Sequence, residues 1–217
     1  MSEFNVYGIP GSPFLRSVEI GLHEKGLDYE LHAIAPGEHK QPDYLARHPF
    51  GRIPAFEHDG FAVYETQAIL RYLDDVFPAP PLTPGNPAAR ARMNQVIGII
   101  ECYYFPKAAA PIGFNRIIGP RLLGIPSDES AIAEAMPMAR TCSAEFERLI
   151  DDKPYLTGET FSLADIMLGA QLDLICEAPE GRELIEETPR LGGWLKRMVE
   201  RPSFIATQPP EILREAA

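Results

Sequence analysis

Five prolines fall within residues 78–87 (Pro78-Ala79-Pro80-Pro81-Leu82-Thr83-Pro84-Gly85-Asn86-Pro87). Proline has no backbone N–H and a fixed φ, so neither a helix nor a central strand can cross such a segment. It reads as a semi-rigid spacer, and the hydrophobic pattern changes period across it. The expected organisation is therefore one unit over residues 1–78, a proline-rich linker over 79–87 and a second unit over 88–217.

Before the linker, strand and helix patterns alternate. Residues 4–8 read as a strand and 13–25 as a helix, with Leu15, Val18 and Leu22 on one face and Gly26 as its stop. Residues 28–34 alternate as a half-buried strand, and a short helical piece follows near 42–47. Two short strands, 53–57 and 61–64, flank His58-Asp59-Gly60, a hairpin signal, and a helix covers about 66–77. The order β-α-β-α-β-β-α predicts an α/β unit with mixed strand directions.

After the linker the pattern is helical. Met93, Val96, Ile97, Ile100 and Tyr104 recur at helix spacing, residues 113–126 interrupt it, and a long helix runs from about 128 to 151 through Pro137. Ser162-Leu163-Ala164-Asp165 is a capping box, which makes Ser162 and Asp165 structural. Leu191, Trp194, Leu195 and Met198 define a last amphipathic helix that stops at Pro202.

Several function classes are disfavoured at this level. With 20 basic against 31 acidic residues the net charge is −11, and no basic run offers phosphate neutralisation, so no nucleic-acid partner is expected. No run is long and apolar enough for a membrane, and residues 1–5 lack a secretory pattern, which points to the cytoplasm. Cys102, Cys142 and Cys176 show no ligand spacing, so they read as reduced thiols, with no metal expected.

Three places can expose backbone donors to a ligand. Ser12-Pro13 pairs an N-cap with a first-turn proline, setting a hydroxyl beside free amides and the positive end of a helix dipole, where a thiolate would be stabilised. Glu65-Thr66 opens the helix after the last strand. Ile53-Pro54 is a candidate cis bond, which would leave the Ile53 backbone free to pair with an extended peptide. Each alone is weak; their order and spacing are more specific.

Over its whole length the chain resembles a cytosolic glutathione transferase. In the first unit it is most similar to the phi class, through Gly37-Glu38-His39-Lys40, His48-Pro49-Phe50-Gly51-Arg52-Ile53-Pro54-Ala55-Phe56 and Tyr64-Glu65-Thr66-Gln67-Ala68-Ile69. Tyr155 to Asp165 is typical of the superfamily, while the region around 113–140 looks more bacterial than plant-like.

The resemblance implies a thioredoxin-like βαβαββα domain with an all-α helical bundle. It also implies a homodimeric detoxification enzyme that conjugates glutathione to a small hydrophobic electrophile. Ser12 matches the donor to the glutathione sulfur, and His39 and Lys40 match residues near the glycyl carboxylate. Ile53, before Pro54, matches the residue that pairs with the cysteinyl backbone. Glu65 and Thr66 match the γ-glutamyl site. Arg52 stands where phi enzymes usually have Gln, either strengthening a carboxylate contact or facing solvent.

Tyr7 is the rival catalytic group, since other classes use a first-strand tyrosine; its alternative is an aromatic packed inward. Arg16 either assists the thiolate or is solvated. Phe14, Tyr103, Tyr104, Phe105, Phe114 and Arg116 are candidates for the electrophile pocket, and Phe50 for a dimer lock. No cysteine lies in residues 8–17, against the classes that use a thiol there. The same site would serve a glutathione-dependent isomerase, dehalogenase, etherase or peroxidase, and the same fold a non-enzymatic binding module.

Overall fold

The computed structural model describes residues 3–214. Met1, Ser2 and residues 215–217, which include the start of the stretch read for a secretory signal and the outer ends of both assigned units, lie outside the described residues. Strand β1 (Phe4–Gly8) is followed by helix α1 (Pro13–Lys25), β2 (Tyr29–Ala33), the short α2 (Pro42–Leu45), β3 (Ala55–His58), β4 (Phe61–Tyr64) and α3 (Thr66–Val76). The sheet order is β2-β1-β3-β4, with β1 parallel to β2 and antiparallel to β3, and β3 antiparallel to β4.

Local chemistry sets these boundaries. Asp59 (φ 49°) and Gly60 (φ 81°) both occupy the left-handed region that a two-residue hairpin requires. Helix α1 ends at Gly26 (φ 66°), whose N–H donates to His23 O while Leu27 N–H donates to Leu22 O, so two orphan carbonyls are satisfied. Phe4 and Val6 turn to the face covered by α1 and α3, where they pack with Leu15, Val18, Leu22, Phe56, Ile69 and Leu73.

The second unit comprises α4 (Pro87–Ile99), α5 (Ala110–Gly113), α6 (Glu129–Ile150), α7 (Leu163–Ile175), α8 (Pro179–Glu187), α9 (Pro189–Val199) and α10 (Pro202–Ala206). Pro202 thus opens a short further helix after α9 ends. Helix α4 starts at Asn86, whose side chain accepts from Ala88 N and Ala89 N. It runs on through two wide-turned i→i+5 segments, Ile100–Ala109 and Phe114–Leu123, with α5 between them. The interruption expected over 113–126 is therefore confined to the residues after Leu123. Pro106 and Pro120 lie inside the wide segments, where a larger turn relieves the clash between a proline ring and the carbonyl four residues back.

The linker is not a spacer. Leu82 is buried in the helical core, and its carbonyl accepts from Leu163 N at 3.0 Å. Lys25, at the end of α1, places its buried ammonium on Asp74 Oδ1 (2.5 Å), Phe77 O (2.6 Å) and Pro80 O (2.6 Å), using all three donors. Asp74 Oδ1 also accepts from Leu82 N at 2.9 Å. A buried cation shared by α1, α3 and the linker holds in place a segment whose composition alone suggests independence.

Burial alone would raise the Asp74 carboxyl, but hydrogen bonds from Lys25, Thr83 and Leu82 outweigh it and hold the group below its ordinary value. The folded pKa lies below the unfolded one. The stabilisation is therefore fully present above the ordinary carboxylate range and is lost as pH falls through the folded value. Urea melts between neutral and acidic pH are expected to show a shallower acid-side loss in Asp74→Asn than in the parent; an unchanged slope would assign the acid sensitivity to other carboxylates.

Helix α1 serves both halves. Its Ile20 belongs, with Leu70 of α3, to the core built mainly from the second unit. Arg16 is only 2% exposed and pairs with Asp173 Oδ2 of α7 at 2.5 Å and with Phe204 O of α10 at 3.1 Å. Both sequence readings of Arg16 are corrected here: it is neither solvated nor aimed at a thiolate, because its face of α1 is covered by the helical unit.

Candidate active site

The strand-to-helix turn is the origin of the site. Ser12 N–H donates to Ile9 O at 3.1 Å, with Pro10 and Gly11 (φ 90°) at the two central positions, the signature of a type II turn. The turn delivers Ser12 as the N-cap of α1. Its Oγ accepts from Leu15 N at 3.5 Å, a long bond that leaves the hydroxyl proton free to be donated elsewhere.

A cleft of about 1000 Å³ opens on this turn. Ser12, His39, Lys40, Arg52, Ile53, Pro54, Glu65 and Thr66, widely spaced in sequence, all line it. The Ile53–Pro54 bond is cis. Glu65 adopts φ 73°, a region that L side chains avoid and that marks a residue constrained by its surroundings. Directly after it, the Thr66 hydroxyl donates to Phe14 O at 3.5 Å, so the starts of α3 and α1 adjoin.

Charge in the cleft is grouped. His39, Lys40 and Arg52 supply the basic groups, with the Lys40 ammonium anchored on Gly51 O at 2.6 Å. Burial, then the neighbouring Lys40, push the His39 imidazole below its ordinary value, and its Nδ1 is buried without a partner. At neutral pH His39 therefore contributes hydrogen bonding, and the positive charge comes from Lys40 and Arg52. His48 is likewise lowered by burial, against an opposing pull from Glu65, and its ring lies 4.5 Å from Tyr64.

The acidic group is Glu65 with Glu101. Gln67 Nε2 donates to Glu101 Oε2 at 2.7 Å, and burial followed by the charge of Glu65 raises the Glu101 carboxyl. The cleft also has an apolar wall, where Phe14 meets Phe105 edge-to-face at 4.5 Å, with Pro106 lining it too.

Four pocket candidates do not line this cleft. Tyr104 is fully buried and packs edge-on against Phe146. Arg116 is committed to Glu129 (2.5 Å) and Glu180 (2.7 Å), joining the second wide segment to α6 and α8. Tyr103 and Phe114 are exposed elsewhere. Tyr104 continues the buried stripe of Met93, Val96, Ile97 and Ile100, while Glu101, Phe105 and Pro106 line the cleft. Glu101, Pro106, Gln67 and His48 were not singled out from sequence; the proline at 106 was the available signal.

Tyr7 does not line the cleft either. It does not pack inward: it lies on the sheet face opposite Phe4 and Val6, with its ring stacked on His32 at 4.5 Å and covered by the Arg47 guanidinium at 4.0 Å. Phe50 lines the cleft rim and is 66% exposed, near the rings of His48 and Tyr64. Among the described residues one group, Glu3, His58 and Asp59, has metal-ligating side chains close together; it lies at the β3–β4 turn, outside the cleft, and the His58 nitrogens already meet Tyr72 and Glu3. No described helix is long and apolar enough to cross a membrane.

A four-stranded mixed sheet with flanking helices, cis-Pro54 beside a helix-start serine, and an attached helical domain define the two-domain thioredoxin-like class. Residues 6–81 match the glutathione S-transferase N-terminal domain and residues 129–197 the C-terminal domain. Glutathione S-transferase 3 of Zea mays is 31% identical over 209 residues, covering 95% of this chain and 94% of the relative. The crystal structure of glutathione transferase F7 from Populus trichocarpa superposes with a TM-score of 0.85 at 30% identity, covering 94% of this chain and 97% of the other. A theta class glutathione S-transferase from Xanthomonas axonopodis pv. citri with glutathione bound gives 0.83 at 26% identity, covering 95% and 97%. The chain belongs to the glutathione S-transferase family, and the curated relatives it matches include plant glutathione S-transferases.

Proposed function

We propose that the cleft binds glutathione and that the Ser12 hydroxyl donates to its sulfur, holding it as thiolate for attack on an apolar electrophile. The observation that carries this reading is the convergence of Ser12, cis-Pro54 and Glu65-Thr66 on one cleft. A thiol of pKa about 8.5 is mostly protonated at neutral pH, and only the thiolate is a strong nucleophile. A serine hydroxyl is too weak a base to remove that proton. It acts by donating to S⁻, with the N-terminal dipole of α1 adding to the effect.

The rest of the peptide follows from charge. Lys40 and Arg52, with His39 as a hydrogen-bonding neighbour, suit the glycyl carboxylate. The Ile53 backbone suits the cysteinyl moiety. Glu65 suits the γ-glutamyl ammonium, and Thr66 with the first amides of α3 suits its carboxylate. The electrophile then lies against Phe14, Phe105 and Pro106. Phe50, exposed at the rim, is the proposed contact to a second copy in a homodimer. The three free thiols suit a reducing cytoplasm.

Retention on immobilised glutathione is the first test, and failure to bind would sink the reading. A screen of chloro-nitroaromatics, epoxides, isothiocyanates, aryl ethers and hydroperoxides separates conjugation from dehalogenation, ether cleavage and peroxide reduction at the same site. Tyr7→Phe is expected to leave turnover and its pH profile unchanged, because the ring stacks outside the cleft. A large loss in that variant would return the catalytic role to the tyrosine.

A further inference from the structure

The turn that carries Ser12 is covered by the end of the described chain. Gly11 is buried, and a methyl group placed on its Cα would collide with Leu213 Cδ1 and crowd Pro210 Cδ at 3.2 Å. Leu213 is 1% exposed, at the end of a short 3-10 turn, Glu211–Leu213. Its side chain therefore occupies the space that the missing Cβ of Gly11 leaves open. Gly11 is required twice: for its φ of 90° and for this close approach.

The covering segment is itself pinned. Arg121, in the second wide-turned segment, donates from Nη1 to Leu213 O at 2.7 Å and from Nη2 to Glu177 O at 3.0 Å, with the Glu177 carboxylate 3.7 Å away. One guanidinium thus joins the second wide segment, the residues after α7 and the Glu211–Leu213 turn. Leu213 N–H closes the 3-10 turn on Pro210 O at 2.9 Å.

We propose that Pro210–Leu213, pinned by Arg121, is a strap that positions Ser12, with Leu213 seated on Gly11 as the positioning residue. The proposal rests on the reading of Ser12 as donor to the thiolate. The conformationally freest point of a type II turn is the glycine at its second central position, which has no Cβ to restrict it. Here that point is held from outside by a leucine side chain. Release of the leucine frees the turn to rock, and the hydroxyl loses its fixed direction while the walls that bind glutathione stay in place. Leu213 touches neither reacting atoms nor the peptide cleft; it acts through Gly11.

The test compares Leu213→Ala, Leu213→Met and Arg121→Gln with the parent and with Ser12→Ala, at a temperature where every variant is folded. Two measurements are made: the pH profile of conjugation of a chloro-nitroaromatic, and amide hydrogen exchange read on a peptide spanning residues 9–16. Leu213→Ala is expected to lower kcat about tenfold, with the KM for glutathione little changed and the pH midpoint moved upward. Exchange in residues 9–16 should accelerate, and Leu213→Met should recover most of both losses. Arg121→Gln should show the same pattern more weakly, and it covers the case in which Leu213→Ala does not fold.

If Ser12→Ala moves the pH midpoint while Leu213→Ala and Arg121→Gln move neither midpoint nor exchange, the strap is overturned. If Ser12→Ala itself leaves the midpoint unmoved, the donor reading fails, and with it the strap as a positioning device. Exchange in residues 9–16 would then report only the Leu213–Gly11 contact.

Discussion

Ser12→Ala is expected to lower kcat/KM by about one to two orders of magnitude while the protein still binds immobilised glutathione. A charge-assisted hydrogen bond contributes about 1.5–3 kcal/mol, and each 1.36 kcal/mol is tenfold. The cost falls on the thiolate, so ultraviolet titration of the bound thiolate should place its pKa higher in the variant. Stability should change little. The cap bond to Leu15 N is 3.5 Å long, and the loss of such a cap lies at the low end of the usual range, about 0.5 kcal/mol. Ser12→Thr, which keeps a donor, should retain more activity than Ser12→Ala. An unmoved thiolate pKa in Ser12→Ala would leave the residue a helix cap and nothing more.

The largest effect on stability is expected at Asp165. Its carboxylate is fully buried and accepts from Leu156 N (2.9 Å), Trp194 Nε1 (2.9 Å), Ser162 N (2.9 Å) and Ser162 Oγ (2.7 Å). Burial raises this carboxyl, and the four donors oppose it. Together they tie the start of α7 to the Tyr155–Leu156 turn and to α9. Asp165→Ala would strand those donors away from water, and such losses cost about 3–5 kcal/mol. Chemical denaturation should show a midpoint shift of that order with an unchanged slope. The Glu65–Thr66 wall lies in the other half of the molecule, so glutathione retention by the folded fraction should persist. A loss under about 1 kcal/mol would mean that water replaces the carboxylate at little cost.

Much of the architecture was legible because it depends on neighbours in sequence. The Ser12-Pro13 start, the Asp59-Gly60 hairpin, the Gly26 stop and the Ser162–Asp165 box are each written within five residues. Where legibility failed, the deciding partner lay far along the chain. Arg16 looked like either a helper of the thiolate or a solvated helix residue, and its partners are Asp173 and Phe204 O instead. Lys25, which no local pattern distinguishes, staples the proline segment. Tyr104, offered as a pocket candidate, instead packs edge-on against the distant Phe146 of α6 in the core. Tyr7 sits on the sheet face that local alternation cannot label as inner or outer without knowing where the helices pack.

The double duty of α1 limits how this molecule can be recombined. Arg16 reaches across to Asp173 and Phe204 O, and Glu24 receives Arg201 through two hydrogen bonds and Ser203 through a third. A chimera that joins the first half to a helical half from another source at the proline segment must import those partners too. Without them it leaves a buried guanidinium unpaired on the same helix whose first residue follows Ser12. The seam to respect in such a fusion is therefore a face of α1, not the prolines that mark the border in the sequence.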